Sequence, residues 1–521
     1  MKILKALLFC FIFVGLAHAT DVKSLKSGNW SDATIWSSGV VPTAADNVTC
    51  QGGHTIVYDM DSSAVNDLNV GSDTSTTGSW RTSSLKNTKL TVYGNLKVFQ
   101  GMSFYTQAST ATPTAFGLHQ LYIQGNLENK GIKFDMRNGS TSTPTLNVIN
   151  ITFFGSTNST VTMGDYTTTN NEFNGVTVNK TGGARVILAS NMVCSQGASA
   201  AAGLNAFVHF TEGIIETGSH AFIHLSTTSA DMDTGKATSY VLGNLGRAMG
   251  ASSGKTNTFA IGDANGYRPV VIKSSTAGVT TGQYTMVSCV AGDANTGSSV
   301  FGDDLIDKVS TVRYYKVYYS YFTLSGTPPD TMSYDSFRPS YMAGDGVSAG
   351  NSDLRVAYST DNRATWLTLH DNYPDVTALN AVPKYLMSDT MAANGIKLTK
   401  DVNSIYFTIA RLKGTTTNTL VAGPSSVRVD APKVQNFQLK QNYPNPFNPS
   451  TVINYQLPDN NFVTLKVYDV IGNEVATLVN EYTPAGTYEV RFNASKLTSG
   501  VYYYQLRAGS FVQTNKMLLV K

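Results

Sequence analysis

The residues that could do chemistry in this chain are few, and their spacing argues against most of it. Gly346-Val-Ser-Ala-Gly350 matches Gly-x-Ser-x-Gly literally. A nucleophile elbow needs a buried strand before the serine and a helix after it, whereas this match sits in Ala343-Gly-Asp-Gly-Val-Ser-Ala-Gly-Asn-Ser-Asp353, which reads as a loop. Gly250-Ala-Ser-Ser-Gly-Lys-Thr256 is one residue short of a phosphate-binding loop, and no helix follows to present its amides. His220 and His224 would align two metal ligands on a helix. On a strand the same offset separates them by about 13 Å, too far for one ion. Asp303-Asp304 is the only adjacent acidic pair. Neighbours on a strand point to opposite faces, and a glycosidase needs two facing carboxylates.

Other residues carry two readings each. Asp263-Ala-Asn-Gly266 and Asp293-Ala-Asn-Thr-Gly297 suit either calcium-binding turns or Asx-turns without metal. Trp30 and Trp36 are either core residues or an aromatic platform for sugar rings. Ser359-Thr-Asp-Asn-Arg-Ala-Thr-Trp366 resembles the Asp-box of sialidase-type propellers, with Arg363 where the pattern has glycine. A single copy of that box implies a structural hairpin with Trp366 packed inside, not a catalytic site. No catalytic constellation, metal site or cofactor site is expected.

The elements that would position these residues are strands. Gly, Ser, Thr and Asn are abundant and charged residues make up 14% of the 521, the usage of an all-β extracellular protein. Lys2 and Lys5, the apolar run Ala6 to Leu16 and Ala17-His-Ala19 read as a signal peptide over 1–19. Its removal takes Lys and Arg from 38 to 36 against 35 acids, a net charge near +1, which argues against nucleic acid as partner. Cys50, Cys194 and Cys289 then remain, an odd number with no paired-ligand spacing, and read as buried free thiols.

Short apolar strands such as Leu90-Thr-Val-Tyr93, Leu121-Tyr-Ile123 and Val186-Ile-Leu188 recur with Gly-Asn-Leu turns at 94–96, 125–127 and 243–245. They read as stacked rungs without a fixed repeat length. The run from Ser27 through both tryptophans to Thr49 resembles the opening of the eight-glycine domain family of secreted, carbohydrate-associated proteins. It suggests a right-handed β-helix or jelly-roll-like module. Beyond Tyr267 the strands lengthen. Thr311-Val-Arg-Tyr-Tyr-Lys-Val-Tyr-Tyr-Ser-Tyr-Phe322 puts Tyr315, Val317 and Tyr319 on one face and Tyr314, Lys316 and Tyr318 on the other. With Leu354–Tyr358 and Ile405–Ile409 it reads as a β-sandwich.

After a Pro/Ser linker at 424–433, three prolines (Pro444, Pro446, Pro449) impose an extended entry. Val463, Leu465 and Val467 then alternate, and Tyr488, Val490 and Phe492 repeat that period, as do Val501 and Tyr503. The entry Tyr443-Pro-Asn-Pro-Phe-Asn-Pro449, then Val467-Tyr-Asp-Val-Ile-Gly472, Leu497-Thr-Ser-Gly-Val-Tyr502 and the closing Lys516-Met-Leu-Leu-Val-Lys521 together resemble the C-terminal sorting domain of the type IX (Por) secretion system. Asn445, Pro446, Phe447, Asn448, Pro449, Tyr468, Gly472, Gly500, Tyr502 and Lys521 carry that resemblance. It implies an immunoglobulin-like sandwich that directs cargo through the outer membrane of Bacteroidetes-type bacteria, and that is cleaved when the cargo is released or anchored to lipopolysaccharide.

The expected protein is therefore all-β. It has an N-terminal β-helix-like or β-sandwich region over 20–266, a middle β-sandwich over 267–423 and a sorting sandwich over 434–521. Its expected role is type IX cargo, secreted or held at the outer cell surface, acting non-enzymatically in adhesion or as surface structure. The expected partners are the secretion machinery, a lipopolysaccharide anchor, and a polysaccharide or host or matrix surface. The alternative is a carbohydrate-binding or polysaccharide-active β-helix.

Overall fold

The computed structural model describes residues 19–520 apart from several stretches, chiefly 108–116, 139–146, 166–170, 195–205, 250–255, 275–282, 323–330, 370–383, 386–396 and 430–435. Residues 1–18 of the expected signal peptide, the run 250–255, Ser348 with both glycines of its motif, and Lys521 lie outside the described residues. Among the described residues the secondary structure is β, with two single-turn 3-10 helices.

From Thr20 the chain coils into a three-faced parallel solenoid. The first face stacks Thr20–Lys23, Asp46–Cys50, Leu68–Val70, Leu96–Val98, Leu127–Asn129, Ser159–Thr162, Arg185–Leu188, Ile214–Glu216, Val241–Leu242 and Ile261–Asp263. The second runs from Gly28–Asn29 to Asn244–Arg247, and the third from Ser63–Val65 to Val208–Glu212. Alternation along each strand sends one residue inward and the next outward. Inward on the first face, the register stacks Val48, Leu68, Leu96, Leu127, Val161 and Leu188, all buried. Such rungs bury their apolar side only against their neighbours, which is why the strands can be so short.

Aromatic rings fill the second face. Trp36, Trp30, Tyr58, Trp80, Phe104, Phe134 and Phe173 form a continuous file with successive centroids 4.9, 5.4, 5.4, 4.3, 5.4 and 5.6 Å apart. Trp30 and Trp36 are 0% and 1% exposed, and the Trp36 indole N–H donates to the Trp30 carbonyl at 2.9 Å. The sugar-platform reading of these two residues is thereby corrected. Both rings close the end of the core and offer no face to a ligand.

The corner between third and first faces is polar. The Asn95 amide donates to Asp67 Oδ1 (2.6 Å), the Asn126 amide to Asn95 Oδ1 (2.9 Å) and the Thr160 amide to Asn126 Oδ1 (2.8 Å). Each side chain thus satisfies a backbone donor of the next coil, which would otherwise be unpaired at the turn. A Cβ at Gly125 would lie 2.2 Å from the Gly94 carbonyl oxygen, so only glycine lets the corners nest. Gly94-Asn-Leu96 and Gly125-Asn-Leu127 stack at this corner, whereas Gly243-Asn-Leu245 lies at the first-to-second corner, which explains its broken period. Lys180 is buried nearby and caps the Gln124 and Phe154 carbonyls, both at 2.7 Å.

The sheet does not stop where the solenoid does. Asn244–Arg247 pairs antiparallel with Gln283–Ala291, which continues through Arg313–Tyr321 and Ile405–Leu412 to Leu354–Ser359. A second sheet, containing Thr256–Phe259, Val270–Ser274 and Thr331–Tyr341, packs over it. Tyr315, Val317 and Tyr319 are buried between the sheets, and Phe337 stacks on Phe407 at 3.9 Å. Strand direction thus changes near residue 267, but buried residues from Val22 to Leu420 form one contiguous core. At the joint, Arg313 pairs with Asp263 (2.8 Å) and with Asp345, which also takes Arg268 at 3.2 Å. All four side chains are buried, so each charge is met by its opposite.

The tail has its own core. One sheet pairs Ser450–Leu457 with Gly486–Asn493 and the other joins Glu474–Thr483, Asn461–Tyr468, Gly500–Ala508 and Phe511–Leu519. Val463, Leu465, Val467, Tyr488, Val490 and Phe492 point inward as their alternation requires. In Gly500–Ala508 the inward set is Tyr502, Tyr504, Leu506 and Ala508, while Tyr503 is exposed. The face expected from Val501 and Tyr503 is therefore the outer one. The Tyr504 hydroxyl donates to the Lys440 carbonyl and accepts from the Asn442 amide, both at 2.8 Å, and so satisfies the polar end of a buried ring. The expected linker also contributes a strand, Ser426–Val429, paired with Gly486–Asn493.

Candidate functional site

Among the described residues, the motifs with apparent chemistry resolve into structure. Ser359 Oγ donates to Asp361 Oδ1 (2.7 Å), which also accepts the Thr365 amide (2.8 Å), and Trp366 is buried beneath this hairpin. Arg363 takes a positive φ of 68° in the place of glycine. Its guanidinium lies 4.3 Å over Tyr314, a contact that offsets part of the backbone cost. Asp263 Oδ1 accepts the Asn265 amide at 2.8 Å while Oδ2 holds Arg313, and Asp293 Oδ1 accepts the Asn295 amide at 2.8 Å. Both are Asx-turns in geometry. Asp303 accepts from the Thr368 amide and hydroxyl (2.6 and 2.7 Å), whereas Asp304 pairs with Lys413.

The histidines separate likewise. His220 lies in the turn before Phe222–His224, while His224 is fully buried, and burial together with nearby Arg247 lowers its pKa to about 3. His119 is buried beside Thr88 (2.8 Å) and burial lowers it to about 4. Cys50, Cys194 and Cys289 are free and buried, and burial pushes each thiol up, away from the reactive thiolate.

Two surfaces remain. The first is a file on the outward side of the second face, half-buried at Arg81 and Tyr105 and buried at Asp135 and Glu172, that the amino-acid order did not reveal. Register places Arg81, Tyr105, Asp135 and Glu172 on successive coils, about 4.8 Å apart from strand to strand. Lys133 Nζ sits 4.7 Å over the Tyr105 ring and 3.2 Å from Asp135 Oδ2, and the Arg137 amide donates to Asp135 Oδ1 at 2.9 Å. Asp135 and Glu172 are both largely buried, and burial raises the Asp135 pKa. The signal was period-two alternation, but four coils of unequal length hide which residues share a file. A depression of about 270 Å³ lies on the first face between Lys97, Phe99, Glu128 and Lys130. Its carboxylate is already held by Lys130 (2.6 Å) and Lys97 (3.9 Å).

The second surface is the tail. The proline-rich entry docks on the last strand: the Phe447 amide donates to the Leu518 carbonyl (2.9 Å), the Val520 amide to the Phe447 carbonyl (3.0 Å) and the Leu518 amide to Asn445 Oδ1 (2.9 Å). The Pro446 peptide is cis, as is that of Pro444. The Pro449 carbonyl accepts the Ala494 amide at 2.8 Å, and Phe447 and Tyr502 are buried. Tyr502 donates to the Thr498 carbonyl at 2.8 Å, bracing the turn that carries Gly500. Tyr468 ends the strand before a turn in which Gly472 has φ of 91°. Asn448 is exposed between the two prolines. The motif residues therefore brace one sandwich from both ends of its chain segment.

Comparison with known proteins agrees with that geometry at the tail alone. No curated protein and no solved structure matches the chain. Residues 441–521 match the family model of the secretion system C-terminal sorting domain, so the tail is a type IX sorting domain and the chain is cargo exported to the outer cell surface or released from it.

Proposed function

We propose that the body delivered by this tail acts without catalysis, as an adhesin or structural element of the cell surface. Several outer polar groups among the described residues support that reading, because they are committed to the protein itself. Asp67, Asn95 and Asn126 bind backbone amides of the next coil, and Glu128 and Glu216 are held by Lys130 and Arg185. Retention at the surface would come from lipopolysaccharide attached as the tail is removed. The test applies the secreted protein to glycan, polysaccharide and matrix-protein panels, with and without calcium, and assays released oligosaccharide. Saturable binding without product supports adhesion. Product release overturns the non-catalytic reading. A surface form that keeps its mass in cells lacking lipopolysaccharide side chains would overturn the anchor.

A second reading, polysaccharide engagement, is favoured by the Arg81–Tyr105–Asp135–Glu172 file. It juxtaposes an aromatic ring, cations and two carboxylates on neighbouring strands. A carboxyl raised by burial is suited to donate a proton, and a neighbouring carboxylate could act as its partner. Under this reading Glu172→Gln abolishes product release while leaving the thermal transition in place.

A further inference from the structure

The sorting tail exposes apolar side chains where its own stability does not require them. Between Asn461–Tyr468 and Glu474–Thr483 the chain turns through Asp469-Val470-Ile471-Gly472-Asn473. Ile471 is 83% exposed and Val470 67% exposed, and neither belongs to the tail's core. The turn itself is firmly built. Asp469 Oδ1 accepts the Ile471 and Asn473 amides, both at 2.9 Å, and Oδ2 accepts the Asn473 side-chain amide at 3.0 Å. The Gly472 amide donates to the Asp469 carbonyl at 3.1 Å, and the positive φ of Gly472 closes the loop. At its base Lys466 and Glu474 form an ion pair of 2.7 Å, a polar rim below an apolar tip.

A rigid tip that presents two aliphatic side chains to water gains nothing within the domain and loses little entropy on binding. A sorting domain must be recognised by the secretion machinery, and the matched residues 441–521 include this turn. We propose that the Val470-Ile471 apex is a preformed plug that inserts into an apolar cavity on a component of the type IX secretion machinery. The inference rests on the sorting assignment and adds the element that is read. Asp469 acts through the apex, as its positioning residue.

The test follows export of the full-length protein, as the ratio of surface plus medium to periplasm. The double variant Val470→Ser/Ile471→Ser is expected to lower that ratio at least about tenfold, the effect of losing a central contact. Val512→Ser removes an aliphatic side chain that is 49% exposed elsewhere on the tail, and should change the ratio less than about twofold. Asp469→Ala, which keeps both aliphatic side chains but frees the turn, should fall between them. Thermal melting of each purified chain checks that the tail is folded. A parallel deletion of residues 426–521 separates the two levels of the argument. If the deletion traps the protein and the folded apex variant is exported normally, the plug is overturned and the sorting role stands. If the deletion is also exported normally, both fall. An Asp469→Ala ratio equal to wild type overturns the role of preorganisation.

Discussion

The solenoid and the sorting tail solve the same problem, burying strands that are polar on one side, by opposite means. In the solenoid the stacked strands pair with others a whole coil away, 28 residues on from Leu68 to Leu96 and 34 from Leu127 to Val161. Its corners are held by side chains that reach from coil to coil, as Asp67, Asn95 and Asn126 do. In the tail, hairpins such as Asn461–Tyr468 with Glu474–Thr483 pair locally, and turns are closed by their own residues, as Asp469 closes its apex. The body's core also runs on into the middle sandwich, while the tail's core is separate. A defect in the body should therefore spread, and one in the tail should stay there.

The strongest test of that difference is Trp80→Ala. Trp80 lies mid-file between Tyr58 and Phe104, and its loss should cost about 3–5 kcal/mol. Calorimetry should then show the body's transition falling, including the sandwich, with the tail's transition unmoved. A tail that melts with the body would break the comparison. Gly125→Ala should follow at about 1–3 kcal/mol, because the added methyl meets the Gly94 carbonyl and not a side chain that can turn away. Hydrogen exchange is expected to rise at the Asn95 and Asn126 amides first. Tyr504→Phe is the converse experiment. It leaves the Asn442 amide and the Lys440 carbonyl without their partner, which should lower only the tail's stability, by about 1–3 kcal/mol in denaturant titration.

Acid should distinguish the regions with the smallest perturbation. His224 and His119 have folded pKa values of about 3 and 4, below the ordinary 6.5. Below pH 6.5 the unfolded chain takes up protons that the folded body refuses, so the body's stability is full above that pH and falls toward pH 4. Residues 434–521 contain no histidine, so the tail should hold through this window. At the alkaline end Lys180, lowered to about 8 from 10.5 by burial, contributes stability as pH rises above 8, while the three buried thiols, raised from 9.0, oppose it above pH 9, so the Lys180 contribution is read between pH 8 and 9. Replacing Lys180 with Met should remove that contribution, as read from the change in denaturation midpoint between pH 8 and 9.

The same contrast explains what was legible in the amino-acid order. The tail could be read because its alternation is local: Val463, Leu465 and Val467 declare a face without reference to any distant strand. It misled at Val501 and Tyr503, where aromatic residues occupy both faces and the inward one is chosen by Tyr504 reaching the Lys440 carbonyl. In the body, rungs could be recognised but not aligned, since coils of unequal length hide which residues are neighbours. That concealed the file from Arg81 to Glu172 and made Gly243-Asn-Leu245 look like a third copy of one corner when it belongs to another. Trp30 and Trp36 were ambiguous for a related reason. Only the ring file running to Phe173 shows that they close it.

The ends of the solenoid carry a consequence for assembly. At the first coil, Lys23 and Leu25 spend their edge groups on Ser37 and Ile35, with bonds of 2.8 Å from the Ser37 amide to the Lys23 carbonyl and 2.7 Å from the Leu25 amide to the Ile35 carbonyl. At the last, Gly266–Tyr267 folds back antiparallel on Ile261–Asp263. Open strand edges invite copies to add end to end. These contacts occupy part of the first face's edge at both of its ends, and so leave fewer unpaired groups there for a second copy to extend.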